Sequence, residues 1–152
     1  MATLAQESSS ADLEAFRAET RAWLAENCPP GARNLPQQMD ASFWGGRNPV
    51  YPSEDRKVWF ERMVARGWTA PTWPKEYGGG GLDAAQGRVL KHEMARIGAV
   101  EPLQSLGLMM LGWAILKFGT EEQKLEHLTN ITQGKIRWAQ GYSEPGAGSD
   151  LA

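Results

Sequence analysis

One cysteine, two histidines and almost no net charge already narrow what this sequence encodes. The lone Cys28 excludes an intrachain disulfide, and no His or second Cys stands near it at metal-ligand spacing. Its neighbours Asn27 and Pro29 supply no cation to activate it, so it reads as a spare small side chain at a helix end. Sixteen Lys and Arg against 18 Asp and Glu leave a net charge of −2, which is no basic footprint, so nucleic acid is not expected as a partner. Long apolar runs are missing as well. The most apolar stretch, 103–118, is interrupted by Gln104, Ser105 and Lys117 and falls short of the roughly 20 residues that a membrane span needs. The first ten residues carry neither a basic segment nor an apolar run, and they hold Glu7 and no Arg. No secretory or mitochondrial leader is expected from them, and the cytoplasm is the default compartment.

Tryptophan is abundant instead: seven in 152 residues, each a large apolar body with one N–H to satisfy. With 41% apolar residues, a packed core or a broad interface is available. The spacing predicts about five helices. Asp12 can cap the first, whose stripe is Leu13, Phe16, Thr20, Trp23 and Leu24, and Pro29-Pro30-Gly31 ends it. Residues 29–52 read as an irregular loop anchored by Phe43 and Trp44. Ser53, with acids in the following turn, opens a second helix with the stripe Trp59, Phe60, Met63 and Val64, closed by Gly67. Residues 68–74 are expected to be extended, because two prolines resist helix.

Gly78 to Gly81 form a four-glycine hinge. No Lys-Ser/Thr follows them, so a Walker loop is excluded and a turn feeding a helix is expected. The third helix begins near Asp83, with Ala85, Val89, Leu90, Met94 and Ile97 on one side. Inside it, His92 and Glu93 lack a second His at metalloprotease spacing and are expected to be solvated or bonded to a neighbouring helix. The stretch 103–118 is apolar nearly all round, which marks a helix buried inside a bundle. Its Met109, Met110 and Trp113 either fill the core or line a pocket for an apolar chain. Thr120 and Gln123 make a capping box for a fifth helix facing inward through Leu125, Leu128 and Ile131, and Gly134 ends it.

The character then changes. Ile136 and Trp138 read as a short strand, whose unpaired backbone groups require a partner. The loop after it, Gly141-Tyr142-Ser143-Glu144-Pro145-Gly146-Ala147-Gly148-Ser149-Asp150, is either a plain turn or a ligand loop. In the second case, bare glycines let backbone amides lie against a planar ring or a phosphate, the serines offer hydroxyls, and Tyr142 and Trp138 offer apolar faces.

Residues 138–150 resemble the signature of acyl-CoA dehydrogenases, whose core reads T/S-E-P-x-A-G-S-D. Residues 67–79 and Phe118-Gly119-Thr120-Glu121-Glu122-Gln123-Lys124 resemble two further segments of that family, in the right order. The resemblance implies an all-α N-terminal helical bundle over 1–134, with 135–152 as the start of a middle β-domain carrying the flavin-binding loop. A C-terminal four-helix bundle completes the family's architecture. It implies an FAD enzyme that oxidises the Cα–Cβ bond of an acyl-CoA thioester, passes electrons to an electron-transfer flavoprotein and works as a homo-oligomer, a dimer or tetramer.

Carried over by position, Gln140, Tyr142, Ser143, Gly148 and Ser149 contact the flavin. Ser143 supplies the hydroxyl that meets the ring, and Ser149 stands where cofactor and acyl-CoA substrate meet. Gln140-Gly141 departs from the usual Tyr or Cys ahead of the core. The family's catalytic base belongs to the C-terminal bundle, so no residue here is assigned as catalytic, Glu76, Glu93 and Glu144 included, and the chain alone is expected to be inactive. The loop wording is similar to that of the branch acting on bulky sterol side chains. Alternatives within the fold are an acyl-CoA oxidase, a nitroalkane-oxidising enzyme or a non-catalytic or DNA-contacting relative.

Overall fold

The computed structural model describes residues 9–34 and 42–146. Five α-helices follow one another: α1 Ser10–Asn27, α2 Glu54–Ala65, α3 Ala84–Arg96, α4 Gly112–Phe118 and α5 Glu121–Thr132. The described residues contain no β-strand, and an antiparallel bridge joins Arg33 to Ala99.

Polar side chains set where the helices begin. Ser9, rather than Asp12, caps α1: its hydroxyl accepts from the Asp12 N–H, and the Asp12 carboxylate answers the Ser9 N–H. The same reciprocal box forms between Asp83 and Gln86 on α3 and between Thr120 and Gln123 on α5, while Ser53 caps α2. Each cap contributes about 0.5–2 kcal/mol by satisfying otherwise orphaned amides.

The core falls into three clusters, one of them Phe43, Phe60 and Leu103, where Phe43 anchors the loop after α1. Leu24, Trp59, Met63, Trp68 and Leu90 pack α1, α2 and α3 together. The Trp59 indole donates to the Val100 carbonyl at 2.9 Å, so the largest buried ring leaves no polar atom unmet. A second cluster, Trp73, Tyr77, Leu128 and Ile131, seats α4 and α5 on the segment between α2 and α3.

That segment corrects two expectations. Residues 68–74 form successive turns, with Ala70 N–H bonded to Gly67 O and Trp73 N–H to Ala70 O. The four glycines are no hinge. Gly79, Gly80 and Gly81 donate to Pro74, Ala70 and Trp73 carbonyls, and Gly79 lies flat against Trp73, where a Cβ has no room.

A fully buried carboxylate fastens α1 to α3. Glu93 accepts from Arg17 Nη1 at 3.2 Å, Arg21 Nε and Nη2 at 3.0 Å each, and Arg96 Nε at 2.7 Å. The Arg21 hydrogen bonds, with those from Arg96 and Arg17, hold its pKa far below the ordinary carboxylate range despite burial. Glu93 is thus bonded to the neighbouring helix, and His92 stays exposed.

Cys28 is buried at the end of α1, and burial pushes its thiol pKa up. Cations do stand near it, Arg33 and Arg62, but they only partly offset that burial.

Candidate functional site

The region that the family motif points to begins where α5 ends. Lys135 N–H bonds Asn130 O at 2.9 Å and Gly46 N–H bonds Gly134 O at 2.8 Å, so the chain leaves α5 pinned between its own last turn and the long loop after α1. Thr69 Oγ1 adds a bond to Thr132 O at 2.7 Å. Below it, the Tyr77 hydroxyl donates to Glu121 Oε2 at 2.7 Å. The bond to Glu121, with burial, pushes the Tyr77 pKa up to about 12, and bonds from Lys124 and Tyr77 lower that of Glu121.

The expected strand at Ile136 and Trp138 is not formed; residues 135–143 are irregular. A strand needs a neighbour for its N–H and C=O groups, and the described residues provide none. Trp138 anchors the segment instead. Its indole packs against the second core cluster, edge-on to His127 at 5.5 Å. From Ala139 to Gly146 the chain is exposed, with Gln140, Tyr142 and Ser143 all facing solvent. Gly148 and Ser149 lie outside the described residues.

Between Trp138 and the loop after α1 is an open cleft of about 440 Å³, lined by Trp44, Ser105, Leu106, Arg137, Trp138, Ala139 and Gln140. Among the described residues of the sequence-predicted site, Gln140 lines this cleft, and Tyr142 and Ser143 are exposed and not part of its lining. Ser105 and Arg137 were not legible as site residues. They carry no motif, and Arg137 meets Trp44, its guanidinium 5.8 Å from the ring centroid, across more than ninety intervening residues.

The second departure is the apolar stretch 103–118. It is not a helix buried on all sides. Gly107–Leu111 winds as a wide π-turn that leads into α4. Trp73 fills the space that a Gly112 side chain would need, and Ile131 and Trp138 close on Gly107. With this inner face taken up by glycines, the bulky residues turn outward: Met109 is 61% exposed and Trp113 51%. Leu125 of α5, expected inside, is 64% exposed, while Leu128 and Ile131 are fully buried. A continuous core-filling role for Met109, Met110 and Trp113 is therefore excluded.

Among the described residues, no helix is long and apolar enough to cross a membrane, and no group of three His, Cys, Asp or Glu side chains is placed to hold a metal ion.

Comparison with known proteins bears directly on this geometry. Residues 10–135 match the acyl-CoA dehydrogenase, N-terminal domain family. Acyl-CoA dehydrogenase IpdE1 of Mycobacterium tuberculosis is 38% identical over 141 residues, covering 93% of this chain and 35% of its own length. Among solved structures, the ChsE4-ChsE5 complex from Mycobacterium tuberculosis superposes with a TM-score of 0.60 at 32% identity, over 97% of this chain and 34% of that one. The steroid ACAD Tcur3481-Tcur3483 gives a TM-score of 0.62 at 35% identity, over 95% of this chain and 34% of that one. The chain thus spans about a third of the length of the relatives it matches. The helical layers, the caps that define them and the motif that follows α5 have one common explanation: this protein belongs to the acyl-CoA dehydrogenase family, through its N-terminal domain.

Proposed function

We propose that this chain is the N-terminal part of an FAD-dependent acyl-CoA dehydrogenase that oxidises the Cα–Cβ bond of an acyl-CoA thioester. In this reading residues 135–152 open the middle β-domain and carry one edge of the flavin site. The observation that supports it most is the course of the motif. After Trp138 the chain leaves the helical core and presents Gln140, Tyr142 and Ser143 to solvent, beside a cleft that the helical domain itself walls.

The exposed groups fit a planar, polar-edged ring. Ser143 brings a hydroxyl that donates or accepts, Gln140 an amide that does both, and Tyr142 an aromatic face. FAD, when bound, supplies the acceptor for the hydride that leaves the β-carbon. Ser143 holds the ring by its hydroxyl and Gln140 and Tyr142 pack at its edge. Gly148 admits close backbone approach, and Ser149 stands where cofactor and acyl-CoA meet. None of these residues moves the substrate proton, and no catalytic base is assigned to this chain.

The outward face of Met109, Met110 and Trp113 gives an apolar surface of the kind a bulky acyl group or a second domain covers. The steroid ACAD among the solved relatives supports a bulky acyl group such as a sterol side chain. The relatives solved as ChsE4-ChsE5 and Tcur3481-Tcur3483 support action within an oligomer. An electron-transfer flavoprotein is the proposed electron acceptor and the cytoplasm the proposed compartment.

The test uses the product of the whole reading frame. It should purify with one flavin per active site, and acyl-CoA added without oxygen should bleach that flavin. Absence of flavin, or a flavin that no acyl-CoA reduces, would refute the proposal. Rapid reoxidation by oxygen with peroxide release would move the protein to the acyl-CoA oxidases.

A further inference from the structure

Residues 139–146 have few contacts of their own with the helical domain. They are exposed, and among the described residues no hydrogen bond ties them to the helices. Nothing stands within 4 Å of a Cβ added at Gly141 or Gly146. Trp138, the last anchored residue before them, is held by packing alone, because its buried Nε1 has no acceptor. Packing is non-directional, so directional bonds upstream set the course on which the motif leaves the core. Those bonds meet at the last turn of α5. Thr69 Oγ1 donates to Thr132 O at 2.7 Å, a carbonyl with no intrahelical donor left to it. Thr132 is itself fully buried, and its hydroxyl proton is shared between Tyr77 O at 3.2 Å and Thr129 O at 3.1 Å. Gly46 N–H donates to Gly134 O at 2.8 Å. Two glycines at positive φ let the flanking backbones close in: a Cβ at Gly45 would strike Gly134 O, and one at Gly78 would strike the Thr132 hydroxyl. The opposite end of α5 is held separately, by the Tyr77 hydroxyl on Glu121.

We infer that Thr69 and Thr132 are positioning residues for the flavin: by fixing the last turn of α5 they aim residues 140–143 at the ring. The inference rests on the acyl-CoA dehydrogenase reading and adds to it two residues outside the motif. Neither is given a contact with cofactor or substrate; both act through the backbone that carries Gln140, Tyr142 and Ser143. Thr69→Val keeps the shape of the side chain and leaves the Thr132 carbonyl without its donor. The motif then samples more directions, and binding the flavin has to order it. The expected penalty is the worth of one hydrogen bond, roughly 2- to 10-fold in the dissociation constant for FAD.

The experiment uses the whole-reading-frame protein and compares Thr69→Val, Thr69→Ser, Thr132→Val and Tyr77→Phe with wild type. Flavin fluorescence gives the dissociation constant for FAD, and amide hydrogen exchange gives the opening of residues 135–143. Thr69→Val and Thr132→Val should weaken FAD binding by roughly 2- to 10-fold and speed exchange at 135–143. Thr69→Ser, which keeps the hydroxyl, should restore both. Tyr77→Phe loosens the opposite end of α5, so it should lower the melting temperature and leave FAD affinity unchanged. A Thr69→Val protein that melts lower, yet binds FAD as wild type does and exchanges no faster at 135–143, would overturn the inference and leave the dehydrogenase reading intact. Weakening of FAD by Tyr77→Phe to the same extent as by Thr69→Val would do the same. A wild-type protein that holds no flavin would overturn both.

Discussion

Replacing Glu93 by Gln tests how α1 and α3 are held together. The carboxylate is fully buried and accepts four hydrogen bonds from three arginines. Loss of one partner from a buried ion pair typically costs about 3–5 kcal/mol, because an uncompensated charge stays inside. Here the groups left behind are the arginines, whose side chains are 28%, 51% and 42% exposed at positions 17, 21 and 96. They regain water, so the expected cost falls to roughly 2–4 kcal/mol. With a urea slope of about 1–3 kcal/mol per molar, the unfolding midpoint should drop by roughly 1–2 M. The pH dependence gives an independent check. The folded pKa of Glu93 is depressed, so its contribution is fully present above the unfolded value, about 4.3, and is lost as pH falls from there towards the folded pKa. Wild-type stability should therefore fall more steeply than that of Glu93→Gln between about pH 4.3 and lower pH, and the two curves should converge. Urea melts across pH measure both. A variant within about 0.5 kcal/mol of wild type at neutral pH, with a parallel acid profile, would mean that the apolar core alone joins the two helices.

Other expectations follow from single contacts. Thr20 is fully buried with Oγ1 unbonded, so Thr20→Val, which keeps the shape, should raise stability by about 1 kcal/mol in thermal or urea melts. Gly112→Ala places a methyl in the Trp73 ring and should destabilise by roughly 1–3 kcal/mol while altering the fluorescence of that tryptophan. Ultraviolet titration should find one tyrosine, Tyr77, that ionises only near pH 12; its raised pKa contributes stability that is present below about pH 10 and lost as pH rises through 12. Glu121→Gln should bring that ionisation down.

The helix plan was legible because polar caps announce themselves locally. Asp83 with Gln86 and Thr120 with Gln123 need only their own spacing to be recognised. Errors arose where the outcome depends on a distant partner. Residues 103–118 are apolar on every side, and periodicity cannot separate a core helix from one that keeps an apolar face outward; Trp73 docking on Gly112 decides it. The prolines at 71 and 74 excluded helix correctly, but the turns between them depend on carbonyls that receive the glycine amides of 79–81. Glu93 was visible as a polar residue within α3, yet its partners Arg17 and Arg21 stand more than seventy residues away. The motif residues Gln140, Tyr142 and Ser143 stood out by wording, whereas the cleft beside them depends on Trp44, Ser105 and Arg137, which no local pattern joins.

The most direct test of the flavin-site assignment is a redox titration of Ser143→Ala in the whole-reading-frame protein, with Cys28→Ala as the comparison. Cys28 is buried at the end of α1, outside the motif and its cleft. A hydrogen bond to the ring contributes roughly 0.5–1.5 kcal/mol, and more where the acceptor carries charge, as reduced flavin does. Losing the donor should lower the flavin potential and slow the reductive half-reaction with acyl-CoA, and Cys28→Ala should do neither. Equal potentials and equal rates for Ser143→Ala and wild type would show that the segment after Trp138 is only a turn, and the flavin-site assignment would be withdrawn.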